Sequence, residues 1–304
     1  MTLTRRRTFC LAGTTLAALP PLALRAQTPA ARVVASFSIL ADMAQELAPA
    51  GVEVLALVGP DSDAHVYQPS PADGKRLAQA DLVLINGLGF EGWIERMVKV
   101  SGYRGTVAVA TQGIEPRTGG HHAADPHVWQ DLALARRYAS NISAAFAQRW
   151  PGRREEIAMR SAAYVARIDQ LDAQVRHWLA AVPRAQRRVI TSHDAFGYFG
   201  AAYGVDFLAP QGWTTHSEPS AAAVARLIRQ IKKDGVRALF IENISDPRLV
   251  DRIAREGGLR TGGTLYSDAL SKPGGSAPTY LRLFEHNART LAAALQARRP
   301  LHHP

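Results

Sequence analysis

The chain has 304 residues, of which 47% are apolar and 20% are charged, and its formal net charge is +10 at pH 7. This composition is typical of a soluble globular protein with a sizeable core, and it excludes an intrinsically disordered chain. Four arginines and no acidic residue fall within residues 1–26, so the charge drops from +10 to +6 without them. The other arginines are scattered among acidic residues, and we therefore predict no nucleic-acid interface.

Residues 1–26 have the pattern of an export signal. Arg5-Arg6-Arg7 precedes an apolar run, from Cys10 to Leu24, that is too short to span a bilayer. We predict that this segment is a signal peptide, that its Arg6-Arg7 pair directs it to the twin-arginine route, and that the mature protein is periplasmic. Cys10 is the only cysteine. Any metal in the mature protein must therefore be held by histidine, aspartate or glutamate.

After residue 32, short apolar runs alternate with segments of helical period. The first half contains predicted strands at 33–37, 52–58, 82–86 and 107–110, and predicted helices at 38–47, 69–80, 90–100 and 130–149. The second half contains predicted strands at 189–192, 205–208, 238–242 and 263–266, again separated by helical segments. Strands that alternate with helices predict parallel sheets flanked by helices, and the division into four and four predicts two α/β lobes.

A different segment separates the two sets of strands. Residues 153–182 contain neither glycine nor proline, and most of their apolar residues recur at steps of three or four, as on one face of a helix. Pro151-Gly152 precede the segment and Pro183 follows it. A helix of this length would run about 45 Å. We predict that it rigidly joins an N-terminal lobe (27–152) to a C-terminal lobe (183–304); the alternative is a helix packed along one domain.

Four potential metal ligands follow predicted strands or lie in short loops. His65 lies beyond the second strand, His127 lies in the stretch Asp-Pro-His-Val-Trp before a predicted helix, His193 directly follows the strand 189–192, and Asp268 follows the strand 263–266. Ligands of open α/β sheets collect at the carboxyl ends of strands, where we expect His193 and Asp268. Three imidazoles and one carboxylate could complete a tetrahedral zinc shell, although no local motif such as HExxH supports the set.

The stretches around these residues, taken together, resemble the metal-binding proteins of zinc/manganese ABC importers (cluster A-I), the family of the zinc-uptake and treponemal Tro-type receptors. The matching stretches are 63–71, 86–91 with Trp93, 125–129, 192–199, 217–220 and 266–270. The resemblance implies two α/β lobes, a rigid linking helix, and capture of a metal for an inner-membrane ABC permease, without enzymatic activity. It also implies that His65, His127, His193 and Asp268 are the metal ligands.

The resemblance favours zinc as the captured ion. Manganese and iron members of the family usually carry a carboxylate at the position of His193, and a shell of three histidines and one aspartate is softer than Mn²⁺ prefers. Manganese, alone or together with zinc, is the alternative. Ala64 stands where some zinc receptors carry an acidic residue, and their long His-rich loop is reduced here to Gly119-Gly120-His121-His122. Some receptors with such a shell also take manganese.

Two other classes fit the same residues, namely an exported zinc hydrolase and a metal-buffering adhesin or chaperone. Catalytic zinc keeps one position open for water, so a shell closed by four protein ligands argues against the hydrolase. The adhesin or chaperone stays open.

Further residues have candidate supporting roles. His121 and His122 could pass metal to the site, or simply belong to a polar loop. Glu91, Asp125 and Asp194 could orient ligands, since metal-bound histidine needs an acceptor for its other N–H, and Trp129 could exclude water. Capping or surface roles explain the acidic residues equally well. We expect a monomer whose metal affinity is lower near roughly pH 5 than near roughly pH 7.5, on either side of the imidazole range.

Overall fold

The computed structural model describes residues 31–118, 123–234, 236 and 238–296. The segment 1–26 and the pair His121 and His122, for which the sequence predicts an export signal and a metal-passing loop, lie outside this part. The described strands are β1 (Ala31–Phe37), β2 (Val52–Val58), β3 (Leu82–Ile85), β4 (Val107–Val109), β5 (Arg188–Ile190), β6 (Asp206–Leu208), β7 (Ala238–Glu242) and β8 (Thr261–Leu265). The described α-helices are α1 (Ser38–Leu47), α2 (Pro71–Ala78), α3 (Ile94–Ser101), α4 (Leu132–Arg149), α5 (Arg154–Ala180), α6 (Gly197–Tyr203), α7 (Ala221–Asp234), α8 (Pro247–Gly257) and α9 (Tyr280–Gln296).

Two parallel four-stranded sheets form the frame of the molecule. Their strand orders are β2-β1-β3-β4 and β6-β5-β7-β8, so the two sheets have the same topology. Central strands are apolar on both faces because helices cover both sides of a parallel sheet; Val33, Val34 and Ala35 of β1 are fully buried. In each sheet the chain first steps to one side of the opening strand and then to the other. This reversal creates a crevice at the carboxyl ends of the strands.

Helix α5 joins the two sheets. Its 27 residues correspond to about 40 Å, slightly less than the segment 153–182 predicts, because Arg153 belongs to a separate 3₁₀ turn (Pro151–Arg153) and the helix ends at Ala180. The predicted apolar face is confirmed at Ile157, Ile168, Leu171 and Val175, which are buried. The α/β architecture with two sheets and one long linking helix is therefore as the sequence predicts.

One hydrophobic core runs through both halves of the molecule. A single cluster of buried side chains includes Phe37 of β1, Tyr164 of α5, Phe240 of β7 and Phe284 of α9. A wide hinge motion would expose this shared apolar surface to water, which is unfavourable. The lobe boundaries at 152, 153, 182 and 183 stay a prediction.

Several helices begin later than the sequence predicts, and local capping explains the difference. The segment 69–80 becomes helical only at Pro71, because Ser70 and Asp73 form a capping box. The segment 130–149 becomes α-helical at Leu132, since the Asp131 carboxylate accepts the N–H of Ala133 at 2.8 Å.

The segment 90–100 becomes helical only at Ile94, because the chain before it turns sharply. Gly87, Leu88 and Gly89 all have positive φ, which an α-helix excludes. The predicted helix is therefore shorter and a loop precedes it. Within the described ranges, there is no helix that is both long and apolar enough to cross a membrane.

Candidate metal centre

Four side chains from distant parts of the chain converge in the crevice. His65 lies in the loop after β2, His127 precedes a 3₁₀ turn (Val128–Gln130), His193 follows β5, and Asp268 follows β8. Each offers one ligand atom, and these atoms all lie within 4.8 Å of one another. None of the four side chains is more than 1% exposed. The arrangement could hold one metal ion with two ligands from each half of the chain.

The three imidazoles present their Nε2 atoms to a common centre. The His65 Nε2 lies 3.4 Å from the His127 Nε2 and 3.3 Å from the Asp268 Oδ2. The His193 Nε2 lies 3.2 Å from the same carboxylate oxygen. These contacts are poorly aligned, so both Asp268 oxygens and the His193 Nε2 are buried without a well-formed hydrogen bond among the described residues. Buried polar atoms without partners are costly, and a cation at this point would satisfy all of them.

Asp125 fixes the ring of His127. Its Oδ1 lies 2.8 Å from the His127 Nδ1 and also accepts the His127 backbone N–H at 3.0 Å. Nδ1 therefore carries the proton and the Nε2 lone pair faces the centre. Gly197 at the start of α6 makes room for this carboxylate, because a Cβ there would lie 2.9 Å from the Asp125 Oδ2.

Glu242 orients the ring of His193 in the same way. The sequence alone did not identify this residue. The Glu242 Oε2 lies 2.6 Å from the His193 Nδ1, while its Oε1 accepts the backbone N–H groups of Ser192 at 2.7 Å and His193 at 2.8 Å. Glu242 is the last residue of β7, a strand otherwise made of Ala, Leu, Phe and Ile. A charged residue at the carboxyl end of a buried strand was the signal that could have identified it.

His65 is held differently. The Asp63 Oδ1 accepts the His65 backbone N–H at 2.8 Å, and the imidazole stands edge-on against Phe90 with ring centroids 4.7 Å apart. Its Nδ1 has no hydrogen-bond partner within the described residues. Burial lowers the pKa of His65, despite the nearby Asp268. The ring is thus positioned by packing and by the backbone, without a carboxylate at Nδ1.

Asp268 is positioned from the first half of the chain as well as from its own. The carbonyl oxygen of Ser267 accepts hydrogen bonds from the Trp129 Nε1 at 2.9 Å and the Gln130 Nε2 at 2.8 Å. The Asn287 Oδ1 accepts the Tyr266 backbone N–H at 2.9 Å, and the Asn287 Nδ2 donates to the Tyr266 backbone C=O at 2.7 Å. These bonds tie the end of β8 to both sides of the crevice.

The comparisons with known proteins agree with this geometry. A family model described as zinc-uptake complex component A, periplasmic, matches residues 33–294. The chain is 35% identical over 271 residues to the zinc-binding protein TroA of Treponema pallidum, covering 86% of this chain and 88% of that protein. It is 31% identical to the manganese-binding lipoprotein MntA of Bacillus subtilis, covering 87% and 90%. The solved periplasmic zinc binding protein TroA matches with a TM-score of 0.84 and 32% identity, covering 87% and 99%.

The chain belongs to the zinc-uptake component A family. Its members are metal-binding receptors of ABC importers and are not enzymes, so the resemblance seen in the motifs is confirmed. The relatives include zinc-binding and manganese-binding proteins.

In this candidate centre, protons and a metal ion would compete for the same ligand atoms. Burial alone would lower the pKa of His193, but Glu242 and Asp268 outweigh it and raise this pKa well above its ordinary value. Burial would raise the pKa of Asp268, yet the surrounding imidazoles lower it well below its ordinary value. Without a metal, the centre therefore favours a protonated His193 beside an ionised Asp268. A divalent cation must displace that proton to bind.

The other candidate supporting residues fall in different places. The Trp129 ring lies against His127, with centroids 5.3 Å apart, and excludes water from it. The Glu91 carboxylate accepts the backbone N–H groups of Asn86 (2.7 Å) and Gly87 (3.2 Å) and shapes the turn before Phe90. Its hydrogen bonds thus support a loop rather than a histidine ring.

Asp194 faces the loop between β6 and α7, residues 209–220, which we call the 209–220 loop. Its N–H donates to the carbonyl of Gly212 at 3.2 Å, and its carboxylate accepts a hydrogen bond from Trp213. Burial raises the pKa of Asp194. These contacts hold the 209–220 loop beside His193. The backbone of His193 also forms an isolated parallel β-bridge with Gln211 in the same loop.

Proposed function

We propose that this receptor captures Zn(II) through His65, His127, His193 and Asp268 and delivers it to an inner-membrane ABC permease. The observation that carries the proposal is the convergence of three Nε2 atoms and one carboxylate in a buried volume, with ligand atoms within 4.8 Å of one another. A segment at residues 1–26 would direct export to the periplasm, and the chain would act as a monomer with lobes at 27–152 and 183–304.

The supporting carboxylates favour a metal over a purely structural cluster. Asp125 and Glu242 each occupy the Nδ1 side of one histidine, which is the arrangement that metal-bound histidines require. A structural cluster would instead pair its inward-facing polar atoms with one another. Here the His193 Nε2 lies 3.2 Å from the Asp268 Oδ2, within ion-pair distance, but these inward-facing atoms form no well-aligned hydrogen bond with one another. A positive ion at their centre would be coordinated by all of these atoms.

The donor set favours zinc over manganese. Three imidazoles and one carboxylate form a nitrogen-rich, four-coordinate shell, which suits Zn²⁺, whereas Mn²⁺ prefers more oxygen ligands. The general affinity order of divalent metals also places Zn²⁺ above Mn²⁺. A manganese receptor is the second candidate, because one relative of 31% identity is a manganese-binding lipoprotein.

Delivery requires release from a buried site. The core shared by both halves disfavours a wide opening, so we expect release by local movement of ligand-bearing loops. Protons assist that movement, because lowering the pH reoccupies His193 and weakens the hold on the cation. The permease would then accept an ion whose shell has already lost a ligand.

The test is the metal content of the exported protein by mass spectrometry, followed by competition between Zn²⁺ and Mn²⁺ for the metal-free form. We expect one equivalent of zinc that manganese does not displace, and its loss in His193→Ala. His177→Ala is the matched control, since His177 is exposed on α5 and is not among the clustered residues.

Other outcomes are informative. Manganese retained against trace zinc would keep the site and reverse the choice of ion. No stoichiometric metal after reloading, or full binding by His193→Ala, would refute the proposed function.

A further inference from the structure

The two carboxylate oxygens of Asp125 face different groups. The Oδ1 lies 2.8 Å from the His127 Nδ1, whereas the Oδ2 lies 3.8 Å from the Arg117 Nε. The Asp125 side chain is fully buried, while that of Arg117 is 47% exposed. The Oδ2 has no hydrogen-bond partner within the described residues, so Arg117 acts on it through charge. One carboxylate thus connects a half-exposed cation to a candidate metal ligand.

The start of α6 encloses this ion pair. A Cβ on Gly197 would lie 2.9 Å from the Asp125 Oδ2 and 3.2 Å from the Arg117 Nε, so any side chain there would crowd both groups. The Arg117 guanidinium lies over the Tyr198 ring, 5.7 Å from its centroid, which is within cation–π range. The segment that follows His193 therefore makes room for Arg117 and holds it beside Asp125.

The position of Asp125 does not depend on the guanidinium. The Asp125 N–H donates to the carbonyl oxygen of Arg117 at 2.8 Å. The Tyr198 hydroxyl donates to the Asp125 carbonyl oxygen at 3.0 Å and accepts the Arg117 N–H at 2.9 Å. At residue 117 these bonds use only backbone groups, which a substitution of the side chain retains. Such a substitution therefore changes the charge next to Asp125 and leaves its geometry in place.

We propose that Arg117 limits the affinity of the centre for its cation, because its guanidinium shares the Asp125 carboxylate with His127. The proposal rests on the proposed metal capture. A carboxylate at Nδ1 makes a histidine a stronger metal ligand, and a positive charge on its other oxygen offsets part of that effect. The guanidinium also repels the cation directly. A receptor that delivers its ion has to release it, and Arg117 keeps the hold of His127 moderate.

The test is the zinc affinity of the metal-free full chain, measured by competition with a chelator, for wild type, Arg117→Gln and Arg117→Met. Both variants remove the charge, and we expect both to bind zinc about threefold to tenfold more tightly at low salt. The gain should shrink near roughly 1 M salt, because the guanidinium is half exposed and its charge is screened. If Arg117 only held the structure together, both variants would bind more weakly.

Two further variants separate charge from structure. Arg117→Lys keeps the charge and should stay within about twofold of wild type. Arg149→Gln is the matched control, because Arg149 pairs with Asp81, lies over the Trp150 ring and has a side chain that is 41% exposed. Asp81 directly precedes β3, so this pair lies at the amino ends of the strands, away from the crevice. We expect its loss to leave the zinc affinity unchanged.

Three results would overturn the role of Arg117. They are zinc affinities of the two neutral variants equal to or below wild type, an Arg117→Lys variant as tight as Arg117→Gln, and an equal gain in Arg149→Gln. Failure of the metal capture itself is recognised separately, by a titration of wild type that shows no stoichiometric zinc or manganese. That result would remove the role of Arg117 with it.

Discussion

The three histidines of the centre are held in two different ways. His127 and His193 each have Nδ1 next to a buried carboxylate, from Asp125 and Glu242 respectively. His65 has no partner at Nδ1 within the described residues and depends on its backbone and on Phe90. One side of the centre is thus fixed by charged hydrogen-bond acceptors, whereas the other is held by a loop.

This difference indicates which ligand leaves first. Rotating His127 or His193 would separate a buried carboxylate from its partner, and unpaired buried charge is strongly unfavourable. Moving His65 requires only the loss of ring packing and of one backbone hydrogen bond. We therefore expect the loop of His65 to move first. Asp125 and Glu242 keep the rings of His127 and His193 in position, even when a proton competes with the metal for His193.

The largest effect is expected from Asp268→Ala. Asp268 is the only carboxylate among the four candidate ligands and approaches all three histidines, so its loss removes both a ligand and the charge that compensates the cation. We expect metal affinity to fall on the order of 10³-fold, about a third of a typical zinc-binding free energy. Isothermal titration would measure this, and an effect below tenfold would mean that Asp268 is not a ligand.

The second largest effect is expected from pH. The pKa of His193 is raised well above its ordinary value, so its proton is present throughout the range below neutrality and must leave when metal binds. Affinity should fall about tenfold per pH unit, or roughly 300-fold between pH 7.5 and pH 5. Burial lowers the pKa of His65, so protons compete with the metal less at His65 than at an ordinary histidine. Competition with a chelator of known pH dependence would measure the slope, and a flat profile would contradict this scheme.

A smaller effect is expected at the fixed side of the centre. Glu242→Gln keeps an oxygen for the backbone N–H groups of Ser192 and His193 but turns an amide toward the imidazole, which disturbs the tautomer. We expect a 10- to 100-fold loss of affinity for Glu242→Gln, as is usual for residues that orient metal-bound histidine. Asp125→Asn should lose less, because the Asp125 Oδ1 alone meets both the His127 Nδ1 and the His127 backbone N–H, so an amide oxygen there keeps both contacts and only the negative charge is lost. Retained affinity in both variants would show that Nδ1 support is unimportant. Circular dichroism and melting would confirm that each variant folds.

The smallest effect is expected on the loop side. Asp63→Asn keeps an acceptor for the His65 N–H but weakens the bond with Thr215, so affinity should fall by only about threefold, the value of a fraction of one hydrogen bond. This loss should come from a faster dissociation of the metal, because the loop of His65 is less firmly held. A loss as large as that of Glu242→Gln would abolish the distinction between the two sides.

Most of the frame could be predicted from sequence because it depends on local periodicity. Apolar residues at the right spacing are enough to predict the strands β1, β2 and β7. The same is true of helix α5, whose pattern is not interrupted by glycine or proline. The convergence of His65, His127, His193 and Asp268 required more, namely the rule that strand ends gather ligands and the resemblance to a known family. The structure places these residues together, and their role as ligands stays a prediction.

The supporting contacts could not be predicted in the same way. Glu242 is the end of an apolar strand in sequence and meets His193 only because β5 and β7 are neighbours in the sheet. Asp194 is next to His193 in sequence and Glu91 lies in a stretch that matches the family, yet the hydrogen bonds of both acids are with loops. Which acid reaches which histidine depends on strand order, and one sequence does not contain strand order explicitly.

The apolar core that passes from the first sheet through α5 into the second also limits how this protein can be divided. Neither half retains a complete core when separated, since Tyr164 and Phe284 contribute to the same cluster as Phe37 and Phe240. Heating should therefore melt both sheets in one cooperative transition rather than two. Chimeras that exchange one lobe between relatives would have to match the partner's packing surface as well as its ligands, so we expect a simple exchange of halves to give an unstable protein.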